Sequence, residues 1–62
     1  MTFNDYLYEL TDNRKHGLER AKENALALYK LAKSRFLEVQ TEEMRADYLE
    51  AKKVCMFLGV RI

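Results

Sequence analysis

Apolar residues recur along this chain three or four positions apart, in two separate runs. Leu18, Ala21, Ala25, Leu28 or Tyr29, Ala32, Phe36 and Val39 make the first run, the signature of one face of a helix. The opposite face carries Arg20, Glu23, Ala27, Lys30, Ser34 and Glu38, which suits solvent. Met44, Tyr48, Ala51, Cys55 and Leu58 make the second run. Continued at helical spacing, the first stripe would place apolar residues at about positions 43, 47, 50, 54 and 57. The second run is out of phase with it by one residue, or about 100° around the axis. A tight turn between two antiparallel helices explains this slip better than one unbroken helix in an extended coiled coil.

Local signals place the ends. Thr41 is a good helix cap, and Glu42 and Glu43 after it suit the positive end of a helix dipole. Gly59 suits the left-handed residue that ends a helix, with Val60 next, where a hydrophobic contact is common. Near the start, Phe3, Leu7 and Leu10 are helically spaced, with Tyr6 beside them and Thr2 and Asp5 arranged much as in a capping box. Thr11-Asp12-Asn13 then favours a turn and a new cap. The expected helices are roughly 3–11, 13–39 and 42–58. A break at Gly17 competes with the one at 12–13, because Arg14, Lys15 and His16 suit a helix C-terminus better than an N-terminus. The break at 12–13 is the favoured expectation.

Composition agrees with an all-α chain. Ala, Leu, Glu, Lys and Arg make up 33 of the 62 residues, there is no proline, and there are two glycines. A share near half for these five is typical of long helices and coiled coils. The expected architecture is a short N-terminal helix followed by a long antiparallel helical hairpin in one domain, 1–62, forming a thin rod. Such a chain is short of core, since small domains bury a small fraction of their surface. One cysteine and one histidine exclude an internal disulfide and a usual four-ligand zinc site. Association is then the expected route to stability.

The apolar surplus points the same way. Leu26 and Leu37 lie together on one flank of the main stripe, and Leu28 and Leu31 on the other. Val54-Cys55-Met56-Phe57-Leu58 is apolar all round, which is the mark of a buried helix. Large exposed apolar patches mark interaction sites. A helical-bundle homodimer is one expectation and a different protein partner the other. Leu26, Tyr29, Leu37, Met56 and Phe57 are the expected interface, with Tyr6 and Tyr8 secondary because tyrosine is favoured in interfaces.

Net charge is +1, so no global field drives binding to nucleic acid or membrane. The charge is nevertheless partitioned: −3 over residues 1–13, +5 over 14–35, −4 over 36–50 and +3 over 51–62. The favoured expectation is that the acidic first helix folds onto the basic stretch and neutralises it. The competing ones are a docking face for an acidic partner and a dimer pairing unlike ends. Nucleic-acid binding is the alternative function. It would use Arg14, Lys15, Arg20, Lys22 and Lys33 on phosphates, with Lys15, Lys22 and Lys33 on one face and Tyr29 between them to stack on a base. Glu19 and Glu23 among these cations weigh against it.

Catalytic chemistry finds little to work with. A thin rod offers no concave pocket of convergent polar groups, and there is no glycine-rich phosphate loop. Cys55 lies on the apolar stripe and is expected to pack as a small core residue. His16, Glu19 and Glu23 share a helical face, a chance cluster rather than a metal site. No enzyme activity, cofactor, metal or small-molecule substrate is expected. No apolar run is long enough to span a bilayer, the first residues lack the form of a secretory signal, and a free cysteine suits the cytoplasm. The expected function is that of a non-enzymatic protein-binding regulator, adaptor or inhibitor, of the kind phages and mobile elements carry.

Overall fold

The computed structural model describes residues 2–62. Among them are four helices and no strand: α1 (Phe3–Leu10), α2 (Asn13–His16), α3 (Leu18–Glu38) and α4 (Glu42–Leu58). Each boundary has a local cause. The Thr2 side chain accepts from the Asp5 N–H at 3.2 Å, and the Asp5 carboxylate accepts from the Thr2 N–H at 3.1 Å, closing a capping box. At the head of α4 the Thr41 hydroxyl accepts from the Met44 N–H at 3.1 Å. At its end Gly59 is left-handed, and the Val60 N–H reaches back to the Cys55 carbonyl at 2.8 Å, the long hydrogen bond of a Schellman motif. Val60 packs on the core, as expected of the residue after the glycine.

The two competing breaks near the start are both present. Asp12 caps the single turn of α2 by accepting from the Arg14 N–H at 3.0 Å. Gly17 then ends that turn at φ 87°, ψ 153°, a region open essentially to glycine alone. The long helix therefore begins at Leu18, not at 13. This shortening corrects the expected rod. α3 now spans about 31 Å and α4 about 25 Å, so the hairpin arms are better matched. The remainder of the chain turns back over them. The radius of gyration is 11.0 Å, close to the ~10.6 Å of a compact domain of this length.

The seam of the hairpin is built from small residues. Ala21, Ala25 and Ala32 on α3 and Ala51 and Cys55 on α4 are buried, which lets the two helices approach closely. Aromatic rings fill the seam toward the turn. Tyr29 stacks on Tyr48 at 5.5 Å between centroids, and Tyr48 on Phe36 at 5.9 Å. Leu7 of α1 drops onto this hairpin and is wholly buried, in one cluster with Ala25, Tyr29, Ala32, Ala51, Val54 and Cys55. Three helices thus meet at Leu7, so the chain has a small core where a bare seam was expected.

Polar ties hold α1 down. The Asn24 amide donates to the Leu10 carbonyl at 2.8 Å. His16 Nε2 donates to the Glu9 carbonyl at 3.0 Å; a carbonyl only accepts, so that nitrogen carries the proton. Lys15 pairs with Glu9, and the Tyr8 hydroxyl donates to Glu50. Among the described residues the acidic first helix pairs with one cation of the basic stretch, Lys15, so the expected neutralisation is confined to that contact.

Candidate functional site

α1 lies across the hairpin and leaves a cleft on each flank. Toward α3, Phe3, Tyr6 and Leu10 face Leu28, Leu31 and Arg35. Toward α4, a groove of about 490 Å³ is lined by Tyr8, Thr11, Asp12, Asn13, Arg14, Lys53, Val54, Phe57 and Leu58. That volume is within the range of ligand-binding clefts. The groove is assembled from three elements distant in sequence. α1 supplies the Tyr8 wall. Residues 11–14, with Asp12 capping the turn of α2, add to the lining. The last two turns of α4 supply the apolar floor of Val54 and Leu58, with the Phe57 ring at the mouth.

Phe57 is the most exposed large apolar residue, at 85 % of its full area. Its exposure follows from helical phase. Ala51, Val54, Cys55 and Leu58 turn inward on α4, which leaves Met56 and Phe57 on the outer side. Met56 is 66 % exposed. The expectation that residues 54–58 outrun what the hairpin can cover therefore holds for Met56 and Phe57. It fails for Val54 and Cys55, which are buried beneath Leu7 and α3.

The other expected interface residues scatter. Leu37 is 64 % exposed, but it lies at the turn end of the hairpin, about 20 Å along α4 from Phe57. Leu26 is half-buried on the flank of α3. Tyr29 is buried in the seam, where its hydroxyl lies 3.5 Å from that of Tyr48, and it offers nothing to a partner in this conformation. Tyr6 and Tyr8 are each half exposed on opposite sides of α1. Of the expected set, the structure brings together only Tyr8 and Phe57 in one groove. Lys53, Val54 and Leu58 were not among the expected interface residues.

The basic face expected for nucleic acid is divided between two helices. Gly17 separates Lys15 on α2 from Lys22 and Lys33 on α3, so the three do not share one helix. Lys15 is paired with Glu9, and that hydrogen bond raises its proton affinity. Tyr29, the base-stacking ring of that reading, is stacked on Tyr48 instead. Arg14 belongs to the groove, while Arg20 and Lys33 are exposed on α3. The same break takes His16 off the helix that carries Glu19 and Glu23. Among the described residues no three His, Cys, Asp or Glu side chains gather as a metal site.

Besides Lys15, four groups are shifted, among them the Tyr29 phenol, raised by its hydrogen bond to Tyr48. Hydrogen bonding to Glu50, desolvation and the Glu50 charge raise the Tyr8 phenol above its ordinary value. Burial pushes the Cys55 thiol up, which makes it a poor nucleophile. Desolvation, with the charge of Glu43 one turn away, raises the Asp47 carboxyl.

No protein-family model matches the chain, and no curated protein or solved structure is significantly similar to it. Among the described residues no helix is long and apolar enough to cross a membrane.

Proposed function

We propose that this protein is a non-enzymatic protein-binding module that engages its partner through apolar helix surface at the α1–α4 edge. The exposure of Phe57 at the mouth of a groove with an apolar floor carries this reading. A large aromatic ring left in water beside a ready concavity is the usual form of an interface anchor. The ring contributes little to the fold, which leaves it available for a contact outside the chain. A second copy is one partner of this kind, in a helical-bundle homodimer. A regulator, adaptor or inhibitor would each use such a surface. The scattered, partly neutralised cations of α2 and α3 support the nucleic-acid alternative less well.

The test is in-cell crosslinking of the protein against its Phe57→Ala, Met56→Ala double variant. Both residues are exposed, so the variant keeps its helical circular dichroism and melts within a few degrees of the parent. The expected result is loss of a discrete crosslinked species. Identical crosslinked species from both proteins would sink the proposal.

A further inference from the structure

The chemistry of the groove narrows the partner. Two cations, Arg14 and Lys53, line it. The single ion pair among the described residues joins Lys15 and Glu9, so neither groove cation is neutralised by direct contact. The one acid in the lining, Asp12, caps α2 by accepting the Arg14 backbone N–H at 3.0 Å and keeps its negative charge. The same groove is lined by Val54, Leu58 and Phe57. With Asp12 counted, the site offers a hydrophobic slot whose lining carries a net charge of +1.

Resting on the reading above, we propose that the groove binds an acidic, apolar-anchored segment of a partner protein. One aliphatic or aromatic side chain of that segment sits on Val54 and Leu58 against Phe57. Carboxylates flanking the anchor meet Arg14 and Lys53. Charge complementarity selects this occupant over a basic segment, which would place like charges together. A nucleic acid strand could use the cations and the Phe57 ring, but it gains nothing from the concave aliphatic floor. Rim charges of this kind set specificity and encounter rate more than total affinity, so the charge preference is the property to measure.

The experiment uses fluorescein-labelled amphipathic helical peptides of one length and one apolar face, with either glutamate or lysine on the polar face, plus a single-stranded oligonucleotide. Fluorescence anisotropy is read at low salt for the wild-type protein, for Arg14→Glu with Lys53→Glu, and for Phe57→Ala. All substituted residues are exposed, and circular dichroism checks that each variant stays folded. The expected result is at least tenfold tighter binding of the acidic peptide, reversal of that preference in the double charge variant, and weaker binding of both peptides to Phe57→Ala. Equal binding of acidic and basic peptides, lost on Phe57→Ala, overturns the charge preference and leaves the apolar docking surface standing. No binding of any peptide overturns the proposal even if Phe57-dependent crosslinking is found. Tighter binding of the oligonucleotide overturns it in favour of nucleic acid. A wild-type dimer that the double charge variant dissociates, read by sedimentation equilibrium, overturns it in favour of a second copy.

Discussion

The Cys55 thiol donates to the carbonyl oxygen of Ala25 across the hairpin seam, at 3.3 Å. The contact exists because both residues are small and fully buried, so the α4 side chain can reach the α3 backbone. The Ala25 carbonyl has a second lone pair free for this beyond its bond within the helix. Two properties follow. The thiol is inert, since burial both hides it and raises its proton affinity. The position is also intolerant of bulk. Cys55→Leu should cost about 1–3 kcal/mol through overpacking, measured as a fall in the midpoint of urea denaturation. A variant as stable as the wild type would mean the seam is looser than described. Disulfide-exchange reagents should label native Cys55 no faster than the chain opens.

Leu7 is the point where three helices meet, and it is one of the two largest fully buried side chains. Truncation to alanine removes its contacts with the hairpin and leaves a cavity. The usual loss is about 2–5 kcal/mol. A chain of this length has on the order of 3–9 kcal/mol of stability in all. Leu7→Ala is therefore expected to release α1 from the hairpin or to unfold the protein at ordinary temperature. Far-ultraviolet circular dichroism during thermal melting measures this. A melting temperature unchanged within two or three degrees would show that α1 does not contribute to the core.

How much of this was legible beforehand depends on how far apart the causes lie. Thr41, Thr2 and Gly59 are readable because each cap closes over three to five residues. The one-residue slip between Phe36 and Met44 locates the turn because helical phase is carried forward residue by residue. Gly17 and Asp12 look like rivals in one dimension, since each alone suffices to break a helix, yet the chain uses both. Tyr29 is different. Helical phase allows Leu28 or Tyr29 to face inward; Leu28 packs partly buried against the core, while Tyr29 is buried in it and stacks on Tyr48, a contact 19 positions away. The groove was hidden for the same reason. Tyr8, Arg14 and Lys53 become neighbours only once Leu7 has seated α1 and Gly17 has turned the chain.

Gly17 and Gly59 are both at positive φ, but not equivalently. A β-carbon at either would meet nothing within 4 Å, so any cost of alanine there is in the backbone. Gly59, at φ 78°, ψ 24°, occupies the left-handed helical region, where alanine costs about 1–2 kcal/mol. Gly17, at ψ 153°, lies in a region nearly closed to other residues, where strain is about 1–3 kcal/mol. Gly17→Ala also has an escape that Gly59→Ala lacks: α2 and α3 can fuse into one helix. The expected outcome is a lower melting temperature for both variants, accompanied in Gly17→Ala alone by a gain in helical ellipticity. Fusion would carry Lys15 away from Glu9 and open the groove at Arg14, so this variant should also lose peptide binding.

Asp47 works against the fold at neutral pH. Its carboxyl is raised above the ordinary value by desolvation first and by the Glu43 charge second, with Arg35 partly offsetting both. A group whose folded proton affinity exceeds its unfolded one binds protons preferentially in the folded state. Its ionisation therefore destabilises the fold as pH rises through the unfolded value of 3.8 toward the higher folded one. Replacing Asp47 with asparagine removes that charge while keeping shape and similar helix propensity. Relief of a like-charge pair one turn apart is worth about 0.2–0.5 kcal/mol. Asp47→Asn should accordingly melt slightly higher than wild type at pH 7, with the advantage vanishing near pH 3, where both side chains are neutral. Thermal melts at the two pH values make the comparison within one pair of proteins. A variant less stable at pH 7 would show that the attraction of Arg35 outweighs desolvation and Glu43, and that Asp47 helps to hold α4 against α3.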